Sequence, residues 1–314
     1  MKEQRSNNKK EIGVIGLGKM GSGIALQLAE KGWRVIGYNR SSERTKEHAK
    51  HGVTAAFSVG EFVKKYQNTP RVVWIMLPAG DATEQMIFGE NGLVHFLEKD
   101  DIVVEAGNSF YKDDGQRAEK LEKKGIRYVD VGVSGGPKGA RNGACLMIGG
   151  PSELFKKLEP LYQTVSIENG YAHFDGAGAG HFVKMVHNGI EYGMMQALGE
   201  GFNVMKKSDF NLDLKEVSRI YNRGSVIESR LVGWLQKAYE ESGIELEDIS
   251  GTVNSTGEGE WTVKTAEGMG ESVPVIKKSF EFRQQSKDNP NYIGKVVSAL
   301  RGQFGGHSVK KSKI

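Results

Sequence analysis

The stretch that decides the fold is EIGVIGLGKMGSGIALQLAEKG, Glu11 to Gly32. A short apolar run leads into GLGKMG, and the residues after it place their apolar side chains at helical spacing until Gly32. The pattern predicts a strand, a glycine turn and a helix. In that context Gly16 allows the tight turn, Gly18 lets an anionic group approach the backbone, and Gly21 lets the helix pack closely. The N–H groups at the start of the helix then face a pyrophosphate. The stretch therefore reads as a dinucleotide site made by Gly16, Leu17, Gly18, Lys19, Met20 and Gly21.

The same alternation continues downstream. RVIGYNR is followed by SSERTKEHAKHG, RVVWIML by a helix after Asp81, and DIVVEAGNS by YKDDGQRAEKLEKKG; RYVDVGV and CLMIGG come next, the latter leading into PSELFKKLEPLY. Strands and helices in this rhythm predict an α/β Rossmann domain, a doubly wound, mostly parallel sheet with helices on both faces. The rhythm ends in the Gly/Ala-rich YAHFDGAGAG, Tyr171 to Gly180, and the chain beyond it reads as helices over 180–207, 213–221 and 226–240. The expected organisation is a polar tail over 1–10, a dinucleotide-binding domain over 11–176, and an all-α substrate and dimerisation domain over 177–314.

The second strand ends in YNRSS, where an acidic residue would hold the ribose hydroxyls of NAD. Asn39 stands there, and a neutral side chain does not repel a 2′-phosphate. Arg40, with Ser41 and Ser42 beside it, can hold such a group through charge-assisted hydrogen bonds. The reading is NADP ahead of NAD, with Arg40 as a solvated turn residue the plain alternative. Leu77, at the end of RVVWIML, is counted with the cofactor-binding residues.

Composition narrows the function classes. Lys and Arg total 43 against 39 for Asp and Glu, with no long block of either sign, which argues against a nucleic-acid partner or a membrane-binding face. No apolar run approaches the roughly 20 residues that span a bilayer. The single cysteine, Cys145, excludes an intramolecular disulfide, and without CxxC or HExxH no metal site is expected. A cytoplasmic location and a small anionic substrate fit. Cys145, Trp74, Trp234 and the methionines of the long helix are expected to be core.

GHFVKMVHNGIEYGMM, Gly180 to Met195, sets Lys184, His187, Asn188, Glu191 and Tyr192 into an otherwise apolar helix. At 100° per residue these five fall within about 140° of one another, opposite Phe182, Val183, Val186, Gly189, Ile190 and Gly193. Lys184 and Glu191 are nearly eclipsed, about two turns apart. An amine and a carboxyl so placed suit an acid/base pair, because a desolvated lysine becomes a usable base and a desolvated carboxyl a usable acid. On spacing alone, a structural coincidence stays open.

GAGHFVKMVHNGIEYGMMQ closely resembles the catalytic helix of the 6-phosphogluconate dehydrogenases, and VSGGPKGARNGACLMIGG, Val133 to Gly150, resembles their substrate loop and the strand after it. EAGNS, GEGEWT and RGQFGGH are similar to three further motifs of that family, in the same order. The resemblance runs from about Glu11 to Ser308 and is to the short, decarboxylating form. It implies oxidative decarboxylation of 6-phospho-D-gluconate to D-ribulose 5-phosphate, in the pentose phosphate pathway and gluconate utilisation. In the implied roles, Lys184 takes the proton from the 3-hydroxyl and Glu191 later protonates carbon 1. Ser134, Gly135, Gly136, His187 and Asn188 hold the carboxylate and hydroxyls. Tyr192, Arg283, Arg301 and His307 hold the phosphate, the last two coming from a neighbouring subunit of a homodimer or homotetramer. Asn108 sits by the nicotinamide and its ribose.

Two departures from the family pattern stand out. Glu260 occupies a position where a cation commonly meets the phosphate, and PKGARNGA lacks the usual aromatic residue, leaving Lys138 as a compensating charge. The rival enzyme class is a β-hydroxyacid dehydrogenase of the 3-hydroxyisobutyrate type, which needs neither Glu191, His187 nor the Arg301/His307 tail. The rival from outside enzymes is a nucleotide-sensing protein that has lost turnover.

Overall fold

A computed structural model describes residues 10–255, 257–306 and 309. The chain forms two compact units, Met1–Lys184 and Met185–Ile314, which divide within one long helix, beyond Gly176. In the first unit the order is β1 (Glu11–Ile15), α1 (Lys19–Glu30), β2 (Arg34–Tyr38), α2 (Ser42–Ala49), β3 (Thr54–Ala56), α3 (Val59–Lys64), β4 (Val72–Ile75) and α4 (Asp81–Phe88). There follow β5 (Ile102–Glu105), α5 (Tyr111–Glu122), β6 (Arg127–Ser134), α6 (Gly136–Asn142), β7 (Ala144–Gly150), α7 (Ser152–Val165), β8 (Ser166–Asp175) and the first residues of α8 (Ala179–Lys207).

The eight strands make one sheet in the order β3-β2-β1-β4-β5-β6-β7-β8. Every neighbouring pair is parallel except β6 and β7. Strand order reverses direction between β1 and β4, and in such sheets the crevice outside the strand ends at that point takes the ligand. Because helices cover both faces, the central strands are apolar on both sides. Ile12, Val14, Trp74 and Val104 pack with Ile24 and Leu28 on one face, while Ile15, Val73, Ile75 and Val103 pack with Phe62 and Ile87 on the other.

The sheet contains two strands that the sequence reading passes over. β3 has only three residues and no room for an alternating pattern. β8 takes in Tyr171–Asp175, the first half of the expected interdomain boundary, and continues the sheet beside β7. It is an edge strand, like β3 at the other end, and mostly solvent-facing, so it lacks the strong apolar signal of a central strand. A further helix, α6, occupies the expected substrate loop.

The second unit holds the rest of α8 with α9 (Leu214–Tyr221), α10 (Arg230–Ser242), α11 (Glu258–Gly268), α12 (Pro274–Gln285) and α13 (Tyr292–Gly305). It contains no strand among the described residues. Asp213 caps α9 by accepting from the Lys215 N–H, and Ser229 caps α10 by accepting from Val232. That second cap is why α10 begins after Val226 and Ile227, which lie exposed. The core of this unit gathers Tyr192, Met195, Phe202, Leu235, Tyr239, Val296 and Leu300.

Some expected core residues are not core. Trp74 is fully buried, but Trp234 is only partly so and leans on Phe304. On α8 Met185 and Met195 are buried, whereas Met194 and Ile190 are exposed. Cys145 is exposed as well. It lies on β7 opposite Ser134, and the alternation of that strand turns Ala144 and Leu146 inward and the cysteine outward.

Candidate active site

The glycine turn has the geometry its residues imply. Gly16 has φ +92°, and a Cβ there would meet the Met76 carbonyl oxygen at 2.3 Å; one at Gly21 would meet the Gly16 oxygen at 1.9 Å. A Cβ at Gly18 would face open space. Beside the turn lies a cleft of about 940 Å³ lined by Gly16, Asn39, Arg40, Ser41, Arg44 and Leu77, among others. Asn39 Oδ1 accepts from the Leu17 N–H at 3.0 Å, which ties the end of β2 to the turn. Leu17 is buried, while Lys19 is exposed and Met20 partly so at the start of α1. A backbone too crowded for side chains at Gly16 and Gly21, open at Gly18 and followed by a helix start, fits a dinucleotide pyrophosphate.

Two details of this cleft leave no signal in the sequence. Arg44 donates to the Leu17 carbonyl at 3.2 Å, so it braces the turn. Ser41 and Ser42 donate to the Glu43 carboxylate at 2.8 and 3.2 Å. A backbone hydrogen bond and these two hydroxyls hold the Glu43 carboxyl below the usual range. Both hydroxyls thus already serve an anion of the chain, and Arg40 stands exposed at the rim.

Lys184 is positioned by a close approach of α8 to the sheet. A Cβ at Gly132 of β6 would fall 2.4 Å from Lys184 Cβ, so only glycine lets the helix lie this near. Ser134, two residues along the same strand, points to the same face. Gly135 and Gly136 follow with φ of +115° and +61°, and they turn the chain into α6. Lys184 is 9 % exposed, while Asn108, after β5, is exposed.

The start of α8 is anchored by a buried charge cluster with no clear signal in the sequence. Asp130 accepts from the backbone N–H of Gly178 at 2.7 Å and of His181 at 2.8 Å, and so caps the helix. The His181 ring Nδ1 lies 2.7 Å from Asp114, which also accepts from Tyr128 at 2.6 Å and Arg117 at 3.1 Å. Burial alone would lower the His181 pKa, but Asp114, Glu105 and Asp130 outweigh it and raise it to about 9. Burial pushes the Glu105 and Asp130 carboxyls up. Glu105, Asp114 and His181 are close enough to hold a metal ion, but Arg117 lies 3.1 Å from Asp114 and 3.5 Å from Glu105 and already supplies positive charge there. The cluster reads as an anchor.

In the second unit, α8 carries the remaining polar residues. Asn188 and Tyr192 are buried, and His187 Nδ1 sits 3.0 Å from Asn188 Oδ1 and 3.9 Å from Glu191 Oε2. The Arg283 guanidinium lies over the Tyr192 ring with Cζ 3.2 Å from its centre, a cation–π contact. Burial lowers the Arg283 pKa to about 10, and Tyr192, Glu191 and Glu258 oppose the fall while Arg301 adds to it. Arg301 is itself buried in this unit and has its pKa lowered by burial. Its charge acts on Arg283 of its own chain.

His307 lies outside the described residues. Glu260 turns to solvent and pairs with Lys264, and Lys138 is exposed.

Two family models cover the chain: residues 11–172 match the NAD binding domain of 6-phosphogluconate dehydrogenase and residues 180–312 its C-terminal domain. The chain belongs to the 6-phosphogluconate dehydrogenase family. YqeC of Bacillus subtilis, provisionally named a 6-phosphogluconate dehydrogenase, is 42 % identical over 301 residues, 96 % of this chain and 99 % of that protein. An NAD(+)-dependent, decarboxylating 6-phosphogluconate dehydrogenase of Haloferax volcanii is 36 % identical over 302 residues, again 96 % and 99 % of the two chains. Among solved structures, 6-phosphogluconate dehydrogenase of Plasmodium falciparum superposes with a TM-score of 0.77 at 26 % identity, covering 92 % of this chain and 70 % of that one. A 3-hydroxyisobutyrate dehydrogenase of Mycobacterium tuberculosis has a TM-score of 0.70 at 18 % identity and shares the fold. As a member of the 6-phosphogluconate dehydrogenase family the protein is an oxidoreductase with an NAD(P)-binding Rossmann domain. Among the described residues no helix is long and apolar enough to cross a membrane.

Proposed function

We propose that the protein catalyses the oxidative decarboxylation of 6-phosphogluconate to ribulose 5-phosphate and carbon dioxide. The observation that carries this reading is α8: buried Lys184 lies over the strand leading to Ser134–Gly136, and Glu191 lies on the same helix face about two turns on. When the dinucleotide is bound, its nicotinamide supplies a hydride acceptor. Lys184 takes the proton of the 3-hydroxyl as carbon 3 is oxidised, which leaves a β-keto acid. The resulting ammonium then donates to the keto oxygen, which draws off the electrons released as the bond to the carboxylate breaks. Glu191 protonates carbon 1 of the enediol, giving the ketose. Ser134, Gly135, Gly136, His187 and Asn188 orient the carboxylate and hydroxyls, and Tyr192, Arg283 and Arg301 take the phosphate. Asn108 serves the nicotinamide side.

NADP is the proposed acceptor, on the strength of Asn39 and exposed Arg40. Glu43, which occupies the serine hydroxyls, works in the other direction, and the Haloferax relative is named for NAD(+). Absorbance at 340 nm with 6-phosphogluconate and each cofactor tests both points. Turnover of 3-hydroxyisobutyrate in its place, or no turnover with either cofactor, would overturn the reading.

In this proposal residues 11–176 serve the cofactor and residues 177–314 the substrate, a functional division that falls a little ahead of the boundary between the compact units after Lys184. Self-association as a homodimer or homotetramer is proposed through α8, whose Ile190, Met194, Ala197, Gly201 and Val204 form an exposed apolar stripe at helical spacing. Sedimentation of the purified protein tests it, with a monomer at micromolar concentration the contrary result.

A further inference from the structure

Glu258 has no part in the proposed reaction, yet it is only 5 % exposed and opens α11 next to Gly259, which lies against the Tyr192 ring that Arg283 covers; its charge favours the protonated form of both Arg283 and Arg301. A buried carboxylate costs several kcal/mol unless a cation compensates it. The local geometry is tightly set. Thr262 Oγ1 donates to the Glu258 carbonyl at 2.8 Å and to the Met185 carbonyl at 2.9 Å, which pins the first turn of α11 to α8. A Cβ at neighbouring Gly259 would fall 2.4 Å from Tyr192 Cε2, and Arg283 lies over that same ring. Both terminal nitrogens of Arg283 are buried without a hydrogen-bond partner among the described residues. The chain thus supplies a neutralising charge while leaving those donors for a ligand oxygen. Glu191 also favours the charged form of both guanidiniums, but its side chain is 23 % exposed and it is the proposed acid.

We infer that Glu258 is the standing counter-ion of the Arg283/Arg301 pair and limits how tightly that pair grips a phosphate. This rests on the reading of the two arginines as the phosphate site. Without ligand, the carboxylate offsets repulsion between two buried guanidiniums. With ligand, it repels the phosphate and favours release. Removing its charge therefore lowers stability and raises anion affinity, whereas a residue that merely scaffolds the turn would lower both.

The test is Glu258→Gln in the full chain, with inorganic phosphate as the probe, measured by calorimetry and by inhibition of turnover. Phosphate is expected to bind about three- to tenfold tighter, with a lower melting temperature. Glu258→Asp, which keeps the charge, should stay near the wild type in both. Should the amide variant not fold, Glu258→Ser gives a second neutral side chain with the same expectation. Unchanged or weaker phosphate binding in a folded neutral variant overturns the inference, as does tightening that persists alongside Arg283→Gln, since the anion would then sit elsewhere. Tightening in a protein that does not oxidise 6-phosphogluconate upholds the counter-ion while the proposed reaction fails; turnover without tightening does the reverse.

Discussion

The His181 ring Nδ1 lies 2.7 Å from Asp114 Oδ2, one turn ahead of Lys184 on the same helix. The contact joins the helix bearing the proposed base to α5 and, through Asp130, to β6, the strand that Lys184 overlies. Three buried carboxylates face the imidazole, and Arg117 is the second cation among them. Loss of one partner would leave uncompensated charge in a dry site, which typically costs about 3–5 kcal/mol.

The pair gives stability a pH dependence. His181 has its pKa raised to about 9 from an ordinary value of 6.5. Its contribution is complete below about pH 6.5, where folded and unfolded chains both hold the proton, and it is lost as pH rises through about 9. The shift corresponds to roughly 3 kcal/mol. Urea denaturation of wild type and His181→Gln should therefore differ most below pH 6.5, with the gap narrowing by roughly that amount above pH 9. A gap that is flat with pH would show that the imidazole is uncharged in the folded protein.

Much of this fold is legible in the sequence because its signals are local. GLGKMG fixes a strand, turn and helix within a few residues, and the Val/Ile runs of β4 and β5 declare central parallel strands. β3 and β8 are hidden because a three-residue strand and a solvent-facing edge carry almost no periodicity. At the site, the helical offsets of Lys184, His187, Asn188, Glu191 and Tyr192 are visible, since they depend on spacing alone. The partners of His181 are not, because Glu105, Asp114 and Asp130 come from three separate elements that only the sheet brings together. Glu258 is hidden for a similar reason: as the second residue of GEGEWT it looks like any exposed carboxylate, and only the packing of the first turn of α11 against α8 and Tyr192 shows it buried.

Replacing Lys184 by Met should remove the base while preserving a buried, unbranched side chain. Turnover of 6-phosphogluconate is expected to fall by about 10²- to 10⁴-fold, the range for loss of a positioned acid/base. Cofactor affinity, followed by quenching of intrinsic fluorescence, should stay within about twofold, because the glycine turn is made by other residues. Near-normal turnover would remove Lys184 from the mechanism.

Asn39→Asp bears on cofactor choice. The carboxylate can keep the hydrogen bond from the Leu17 N–H, now at 3.0 Å, while adding a charge that repels a 2′-phosphate and accepts from ribose hydroxyls. The ratio of kcat/KM for NADP to that for NAD should fall by at least about tenfold, equivalent to ~1.4 kcal/mol. Glu43→Gln should move the ratio the other way, since it frees the Ser41 and Ser42 hydroxyls from a competing anion. If neither variant changes the ratio, the 2′-position of the ribose does not reach this end of β2.

Gly132→Ala tests whether the nearness of α8 to β6 matters for chemistry rather than for folding alone. The new methyl group would fall 2.4 Å from Lys184 Cβ and 3.0 Å from its Cγ, with the Gly180 carbonyl oxygen at 3.1 Å, so the helix must move outward. Overpacking of this kind costs about 1–3 kcal/mol, which a two-unit chain with extensive cores can absorb. The same displacement shifts the Lys184 amine relative to Ser134 and Gly135, and a misplacement near 1 Å can cost about 10²-fold in rate. The expected result is a folded protein, with a melting temperature lowered by a few degrees, whose kcat falls far more than its cofactor affinity. A variant that loses stability but keeps its kcat would mean that Lys184 tolerates displacement and that the close helix–strand contact serves packing only.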